Sequence, residues 1–330
     1  MRVLLYEWCS SGGLAEEDAA IAPEGRLMLE ALAADAATSA AIELTVLVAT
    51  ATRLSLPPGT RTLAVRPGDD TASLVAAAGD ADWTLIVAPE SDGILLDRVQ
   101  RVRAAGGRVL APHDAVIAIA SDKQSTIDTL AAHGLPVPAG RSLAAGEPIP
   151  AGFHLPAVRK ARGGCGCEDL RLIYSHLTPP AATATRLEAF ATGIPVGVSL
   201  VCGPRASVVL PVMRQRFTTD DAPRYLGSEI FTDEAAAARA KALAVRAAAA
   251  IGAGAGWLGV DLVLGDRPDG SGDRVLEVNP RITTSIVGQA RLVASSLVAA
   301  MIEAATGGEP TLEPNASANK DVGRFDLTGH

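Results

Sequence analysis

The chain has 330 residues, 48% of them hydrophobic and 20% charged, with 29 Lys and Arg against 37 Asp and Glu for a formal net charge of −8. This length and hydrophobic content suffice for a buried core, and an acidic balance without a Lys/Arg-rich run argues against nucleic acid and anionic membranes as partners. Because no long apolar run predicts a membrane span and Glu7 interrupts the apolar start where a signal peptide would continue, we expect a cytoplasmic protein.

The first third of the chain alternates strand and helix patterns, which predicts an open parallel α/β sheet over residues 1–112. Ligands bind such sheets at the carboxyl ends of the strands, so we expect the loops at residues 7–13 and 89–93 to lie at a binding site. Strands are predicted at residues 3–6, 43–48, 83–87 and 108–111, and helices at residues 23–37 and 95–105.

The middle of the chain contains a helix, a linker and a strand that opens onto a glycine loop. Ser121 is predicted as the N-cap of a helix that stops at His133, and residues 139–150, rich in Pro, Gly and Ala, are predicted as a linker. A strand at residues 156–160 leads into the loop at residues 161–167, which we expect to be mobile.

The last part of the chain again mixes strand and helix patterns, up to about residue 305. The polar tail at residues 307–330 has no apolar periodicity and is predicted to be partly disordered. Strands are predicted at residues 196–202, 206–211, 258–264 and 274–278, and helices at residues 233–252 and 286–305.

Three oxygen-bearing side chains fall on the last two predicted strands. Glu277 and Asn279 point to one side, and Asp261 on the preceding strand can join them, because side chains alternate between the two faces of a strand. Two carboxylates and an amide oxygen suit Mg²⁺, which usually takes one or two carboxylates together with substrate phosphates. An edge hairpin with its polar face in water is the alternative interpretation.

Two lysines stand beside elements that favour phosphate. Lys123 lies at a helix start, where the macrodipole and free N–H groups favour an anion, and Lys160 ends a strand directly before the glycine loop. Backbone N–H groups of such a loop can cradle phosphates while a lysine supplies positive charge, so the combination indicates a triphosphate site. Solvated lysines and a simple glycine turn are the alternative interpretation.

The order of these elements resembles the ATP-grasp superfamily over roughly residues 113–300. The elements are Asp-Lys at a helix start, a strand ending in Lys before a glycine loop, an Asp on one strand, and Glu-x-Asn-Pro-Arg on the next. The resemblance implies an α/β ATP-grasp fold preceded by an open parallel α/β domain. The implied divisions are a pre-ATP-grasp domain at 1–112, a small subdomain with a glycine-rich lid at 113–190, a large subdomain with the metal site at 191–306, and the tail at 307–330.

The resemblance also implies roles for individual residues. Lys123 and Lys160 would bind nucleotide phosphates under a flexible lid at residues 163–167, and Arg281 would neutralise the γ-phosphoryl group or an acyl phosphate. Lys160 and Arg281 are therefore the expected catalytic residues. The implied ligands of Mg²⁺, with Mn²⁺ as an alternative ion, are Asp261, Glu277 and Asn279, and the implied ATP-binding residues are Lys123, Lys160, Gly163, Gly164 and Gly166 with the adenine hinge Glu188, Ala189, Phe190 and Ala191.

Two features depart from the family pattern. The lid holds Cys165 and Cys167 where the family often has glycines or small polar residues, and the hinge holds Ala189 where an acidic residue is common. A Cys-x-Cys metal site is the competing interpretation of the lid, but two thiolates without nearby His or Cys give no tetrahedral set. The four cysteines are too few for a disulfide framework, and we expect reduced thiols.

The chemistry implied by the family needs no protein nucleophile. A carboxylate attacks the γ-phosphorus of ATP, and an amine then attacks the resulting acyl phosphate. Such a site requires positioning and charge neutralisation, so the lack of a Ser/His/Asp or Cys/His arrangement is expected.

Two segments resemble the tyramine–glutamate ligase group of methanofuran-type cofactor synthesis, whose members join the γ-carboxylate of glutamate to a primary amine. The segments are Leu-Leu-Tyr-Glu-Trp-Cys-Ser-Ser-Gly-Gly-Leu at 4–14 and Glu-Val-Asn-Pro-Arg-Ile-Thr-Thr-Ser-Ile-Val-Gly at 277–288. Residues 283–285 could equally be the N-cap of the next helix. The substrate-binding residues implied by this resemblance are Glu7, Ser11, Gly12, Arg281, Thr283, Thr284 and Ser285.

Other functions stay open. Another ATP-grasp ligase, making a dipeptide or amino-acid conjugate, would differ only in the loops near residues 7–13, 89–93 and 214–229, and a non-catalytic sensor would bind ATP without releasing ADP. A dinucleotide-binding oxidoreductase would need a Gly-x-Gly-x-x-Gly turn after the first strand, which the sequence lacks. We therefore expect ATP and Mg²⁺ as cofactors and a small carboxylate and an amine as partners, with a homodimer left open.

Overall fold

The computed structural model describes residues 1–14, 21–66, 68–165, 170–317 and 321–327, which form three β-sheets with helices packed against them. The first sheet is parallel and the other two are antiparallel. This architecture confirms the predicted α/β class. Within the described ranges, no helix has both the length and the apolar composition needed to cross a membrane.

The amino-terminal sheet has four parallel strands, and helices join the first strand to the second and the third to the fourth. Its elements are β1 (Arg2–Glu7), α1 (Ala22–Ala37), β2 (Glu43–Ala49), β3 (Arg61–Val65), α2 (Asp70–Gly79), β4 (Trp83–Val87), α3 (Ile94–Ala104) and α4 (Asp114–Ala120). The strand order is β3–β2–β1–β4. Strands β1 and β4 are continuous apolar runs because both faces of the sheet are covered, and their carboxyl ends lead into the loops that begin at Trp8 and Ala88.

Two sequence predictions differ from the structure in this sheet. Residues 108–111 do not form a strand, since only an isolated bridge joins Val109 to Thr84 on β4. Strand β3 was not predicted from the sequence, because its apolar residues form a run of only three, and Val65 alone among the five side chains is buried.

The second sheet is small and antiparallel, and it follows a single helix. Its elements are α5 (Lys123–Ala132), β5 (Gly140–Leu143), β6 (Ala157–Ala161), β7 (Arg171–Ile173) and β8 (Thr185–Ala189), in the strand order β5–β8–β6–β7. The N-cap of α5 is Asp122 and not Ser121 as predicted, because the Asp122 carboxylate accepts a hydrogen bond from the Ser125 amide over 2.8 Å. Ser121 instead ends α4.

The third sheet is the largest and contains the predicted metal strands. Its elements are β9 (Ile194–Cys202), β10 (Ser207–Val209), β11 (Met213–Phe217), β12 (Tyr225–Ile230), α6 (Glu234–Ala250), β13 (Gly256–Leu264), β14 (Arg274–Asn279), α7 (Ile286–Leu292), α8 (Leu297–Ala305) and β15 (Phe325–Asp326). The order is β14–β13–β9–β11–β12–β15, with β10 also paired to β9. Apolar side chains of α6 pack against one face, including Val260 and Leu262. Asp261 lies between these two residues and therefore points to the opposite face.

Residues 286–305 form two helices where one was predicted. The chain bends at Val293, which bridges Pro314, and α8 begins after the N-cap Ser296. Asp35 of α1 accepts hydrogen bonds from the Ser296 hydroxyl and from the amides of Leu297 and Val298 over 2.8 to 2.9 Å. The Ser296 hydroxyl also accepts the Ala299 amide over 3.2 Å, which is a local capping signal, whereas the contribution of the distant Asp35 is not visible in the sequence.

Candidate active site

The three predicted metal ligands lie on one face of the large sheet. Asp261 on β13 is the direct cross-strand partner of Glu277 on β14, and Asn279 lies two residues further along the same face. The Asn279 amide nitrogen donates to Asp261 Oδ2 over 2.9 Å, and Gln215 on β11 donates to Oδ1 over 2.7 Å. Two amides therefore hold the Asp261 carboxylate, one at each oxygen.

The two carboxylates of this set repel each other at close range. Burial, followed by the charge of Glu277, raises the pKa of Asp261 to about 6 in spite of the hydrogen bonds from Asn279 and Gln215. A hard cation relieves such repulsion, and Mg²⁺ typically keeps water and phosphate oxygens beside one or two carboxylates. No group of three or more His, Cys, Asp and Glu side chains suited to a metal occurs in the described part of the chain. The set fits Mg²⁺ better than a metal that needs a full cage of protein ligands.

Gln215 is a site residue that sequence reasoning missed. It stands in the strand Met-Arg-Gln-Arg-Phe, where nothing distinguishes it until the pairing of β11 is known. Gly197 on β9 lacks a side chain and so leaves a space beside Gln215. A Cβ on Gly197 would lie 3.4 to 3.5 Å from Gln215 Nε2, Asp261 Oδ1 and Ser285 Oγ. Ser285, predicted as a substrate residue, therefore borders the same space as Asp261.

Lys123 connects the metal strands to the glycine loop. Its ammonium lies 3.0 Å from Glu277 Oε1 and donates to the Gly164 carbonyl over 2.5 Å, and only 6% of the side chain is exposed. Burial alone would lower the pKa of Lys123, but the carboxylates of Glu277 and Glu90 outweigh it and raise the pKa. The buried ammonium is therefore charged.

The glycine loop is described only in part. Gly163 is exposed and Gly164 is half-buried beside Lys123. Gly166 and Cys167, which the sequence assigned to the lid, lie outside the described residues. The role of the loop as a lid stays a prediction.

Lys160 lies in the small sheet in a buried group of charges. Its ammonium is 2.5 Å from Glu188 Oε1 on β8, and Arg186 donates to the other oxygen of Glu188 over 3.1 Å. Arg186 is itself almost fully buried and donates to Gln124 on α5 and to the Pro138 carbonyl. The structure thus places the predicted phosphate lysine and the first hinge residue in one ion pair, which neither sequence assignment anticipated.

The remaining hinge residues lie where the chain passes from β8 to β9. Ala189 ends β8, Phe190 has 44% of its surface exposed, and Ala191 is half-buried. An exposed aromatic ring at the junction of the small and large sheets is accessible to a ligand, and its contact with adenine stays a prediction.

Arg281 follows β14 and pairs with Glu90, a residue that sequence reasoning did not single out. The guanidinium contacts both carboxylate oxygens, through Nε to Oε2 and through Nη2 to Oε1 over 3.2 Å. Burial would raise the pKa of Glu90, but the charges of Arg281 and Lys123 outweigh it and lower the pKa. Glu90 lies in the 89–93 loop, at the carboxyl end of β4 where the sequence predicted ligand-binding residues.

The threonines after Arg281 contact two other elements. Thr283 lies over β13, where a Cβ on Gly259 would be 2.4 Å from its Cγ2 atom. The Thr284 hydroxyl donates to Glu24 Oε2 at the start of α1 over 3.0 Å. Ser285 occupies the N-cap position of α7, as the alternative interpretation held, but its side chain makes no capping hydrogen bond.

The polar side chains of the loop after β1 form hydrogen bonds to the backbone of the chain. Both oxygens of the buried Glu7 accept backbone amides, from Cys9 over 3.0 Å and from Ser10 over 2.8 Å, and the Ser11 hydroxyl donates to the Leu47 carbonyl. Gly12 has a φ of 86°, which a glycine adopts without strain. These contacts shape the loop, and a role of Glu7, Ser11 and Gly12 in substrate binding stays a prediction.

Comparison with protein families gives two matches in adjacent segments. A model described as the ATP-grasp domain matches residues 120–285, and a model described as the pre ATP-grasp 3 domain matches residues 42–117. The first match covers half of the chain and contains every residue of the metal set. No curated protein matches the sequence.

Solved structures share the fold over nearly the whole chain. An ATP-grasp superfamily protein from Archaeoglobus fulgidus is 24% identical with a TM-score of 0.68, covering 94% of this chain and 89% of that one. An L-amino acid ligase from Bacillus licheniformis is 14% identical with a TM-score of 0.68, covering 92% and 73%. A D-alanine–D-alanine ligase from Bacillus anthracis, complexed with ATP, is 16% identical with a TM-score of 0.60, covering 92% and 97%. These likenesses confirm the predicted ATP-grasp fold.

Proposed function

Because the chain belongs to the ATP-grasp family, whose members are ATP-dependent ligases that form C–N bonds, we propose that it joins the γ-carboxylate of L-glutamate to a primary amine such as tyramine. The reaction would pass through an acyl phosphate. The ligase chemistry follows from the family, whereas the two substrates rest on the sequence similarity of residues 4–14 and 277–288 to the tyramine–glutamate ligase group.

The observation that carries the proposal is the facing pair Asp261 and Glu277 with Lys123 against it. We assign Asp261, Glu277 and Asn279 as the ligands of Mg²⁺, which when bound would neutralise phosphate charge. Lys123 reaches the same place from the helix start that precedes the small sheet, so one ammonium lies beside both the metal set and the glycine loop.

The remaining cations suit the transferred group. Lys160 on β6 would bind the nucleotide phosphates from the small sheet, and Arg281 would neutralise the charge that develops on the acyl phosphate. Each acts by fixed position and charge, so catalysis requires no protein nucleophile. Glu90, by holding Arg281 through two hydrogen bonds, would fix the plane of the guanidinium.

The substrate residues are assigned around the segment that follows β14. We propose that Arg281, Thr283 and Ser285 border the acyl site, because Thr283 and Ser285 line the space above Gly259 and Gly197 on the metal face of the sheet. The loop of Glu7, Ser11 and Gly12 would border the pocket from the amino-terminal side.

The test is release of ADP from Mg-ATP with a panel of carboxylates, each with and without amines. Release that requires both L-glutamate and tyramine supports the proposal, and mass spectrometry of the product should show the γ-amide. Release with another pair assigns a different ATP-grasp ligase. ATP binding without release for any pair overturns the ligase function and favours a sensor.

A further inference from the structure

The carboxylate of Glu24 projects from the first turn of α1 toward the candidate active site. One of its oxygens, Oε2, accepts the Thr284 hydroxyl over 3.0 Å. The other oxygen, Oε1, has no hydrogen-bond partner among the residues that the structure describes. Glu24 is half-buried, and Oε1 is not among the fully buried atoms that lack a partner, so it is open to a donor from solvent or from a ligand.

Arg281 acts on Glu24 through its charge but makes no hydrogen bond to the Glu24 carboxylate. Arg281 lowers the pKa of Glu24 by its charge, but burial outweighs this effect and raises the pKa overall. The guanidinium of Arg281 is already held by both oxygens of Glu90. Oε1 of Glu24 is therefore available to a cationic group of a bound substrate.

The segment after β14 places Glu24 near the metal set, because Thr284 bonds Glu24 and the adjacent Ser285 borders the same space as Asp261. Burial raises the pKa of Tyr225 on β12, and the charges of Glu24 and Asp261 add to this effect, so both carboxylates lie near one phenol. Thr284, the hydrogen-bond partner of Glu24, follows Arg281 by three residues. Glu24 therefore lies at the border of the proposed acyl site.

We propose that Glu24 binds the ammonium group of the amine substrate and accepts its first proton. This inference rests on the proposed ligase function. Thr284 positions the carboxylate through Oε2, and Oε1 receives the N–H⁺ of the substrate. Because residues 7–13 and α1 both belong to the amino-terminal domain, the amine enters from that side of the cleft.

The ammonium passes one proton to Glu24, which becomes a neutral carboxylic acid, and the free amine attacks the acyl carbon. The C–N bond forms as the C–O bond to phosphate breaks, and the second amine proton leaves with the phosphate. Glu24 returns its proton to water when the product departs.

The experiment separates acyl phosphate formation from amine binding. Hydroxylamine is uncharged near neutral pH and traps acyl phosphates as hydroxamates, so it needs no carboxylate partner. For Glu24→Gln we expect hydroxamate formation from L-glutamate and Mg-ATP at the wild-type rate. With tyramine we expect KM to rise about tenfold to hundredfold, the effect of losing one charge-assisted hydrogen bond.

The matched control is Glu234→Gln, which removes the exposed first-turn carboxylate of α6 and should change neither reaction. A second variant, Glu24→Asp, keeps the charge and should have an intermediate KM for tyramine. Unchanged tyramine KM in Glu24→Gln, or loss of hydroxamate formation in step with ligation, overturns the role of Glu24. Absence of hydroxamate from the wild-type enzyme with every carboxylate instead rejects the ligase function itself.

Calorimetric titration of tyramine into the nucleotide-free protein gives a measurement independent of the chemistry. Binding should weaken in Glu24→Gln by the same factor as KM rises and stay unchanged in Glu234→Gln. Equal tyramine affinity of Glu24→Gln and wild type contradicts the inference.

Discussion

The two halves of the candidate nucleotide site carry opposite charge imbalances. In the large sheet, Asp261 and Glu277 lie beside Lys123, and the neighbouring Arg281–Glu90 pair adds one charge of each sign, which leaves one negative charge in excess. In the small sheet, the single carboxylate Glu188 is shared by Lys160 and Arg186, one negative charge against two positive. The large sheet therefore lacks a cation and the small sheet lacks an anion. A metal–phosphate ligand placed between them would correct both.

The comparison explains why neither half could serve alone. Buried charges of like sign are stabilised only by a partner of opposite sign. The large sheet has an excess of negative charge, and the small sheet has an excess of positive charge. Removing one charge from either half should therefore affect turnover far more than it affects folding.

The largest effect is expected in the large sheet. Glu277→Gln removes one of the two carboxylates and the partner of Lys123, so ADP release should fall about a hundredfold to a thousandfold, the range for loss of one preorganised charge contact. The control Asp266→Asn changes an exposed acid in the turn of the same hairpin and should leave the rate of ADP release unchanged. Near wild-type turnover in Glu277→Gln would falsify the metal assignment.

A comparable loss is expected in the small sheet. Lys160→Ala leaves Glu188 paired only with Arg186, and kcat/KM for ATP should fall about a hundredfold, because a phosphate contact is lost. Arg159 is the neighbour on the opposite face of β6, so Arg159→Ala should retain ATP affinity. Equal losses in the two variants would show that β6 carries no specific phosphate contact.

A smaller effect is expected from Gln215, which touches the metal set without belonging to it. Gln215→Leu removes the hydrogen bond to Asp261 Oδ1, and the Mg²⁺ concentration for half-maximal ADP release should rise about tenfold to hundredfold. The maximal rate at saturating Mg²⁺ should change little. A lowered maximal rate with unchanged Mg²⁺ dependence would assign Gln215 to the substrate instead.

The smallest effect concerns stability. A Cβ on Gly25 of α1 would lie 2.4 Å from Glu7 Oε1, so Gly25→Ala should lower the free energy of unfolding by about 1–3 kcal/mol through overpacking. Gly79 at the end of α2 has no atom within 4 Å of such a Cβ, and Gly79→Ala should be neutral or slightly stabilising. Chemical denaturation of both variants checks the contrast, and equal stabilities would contradict it.

The sequence was sufficient for those parts of the fold that have local signals. The strands carrying Asp261 and Glu277 were predicted because strand periodicity puts alternate residues on one face, and the family match supports the fold around them. The break between α7 and α8 had a local signal in the N-cap Ser296 that the helix prediction passed over, whereas the added cap from Asp35 in a distant helix could not be predicted. Similarly, Gln215, Glu90 and Glu24 act across long sequence separations that periodicity does not reveal.

The buried ion pair of Lys160 and Glu188 shows a second limit of prediction from sequence. Lys160 and Glu188 were each assigned a ligand from motif order alone, and their mutual pairing depends on the register of β6 against β8. A motif indicates which residue types a ligand needs, whereas competition between those residues is decided by strand pairing.

The cap that Asp35 provides for α8 bears on how the chain folds. The amino-terminal sheet and the large sheet also share one apolar cluster, in which Leu29 of α1 packs with Trp257 and Val298. A fragment lacking the first 112 residues would expose that cluster and leave the first amides of α8 without their acceptor. The amino-terminal segment therefore shares its core with the later segment, and the two should unfold in a single cooperative transition.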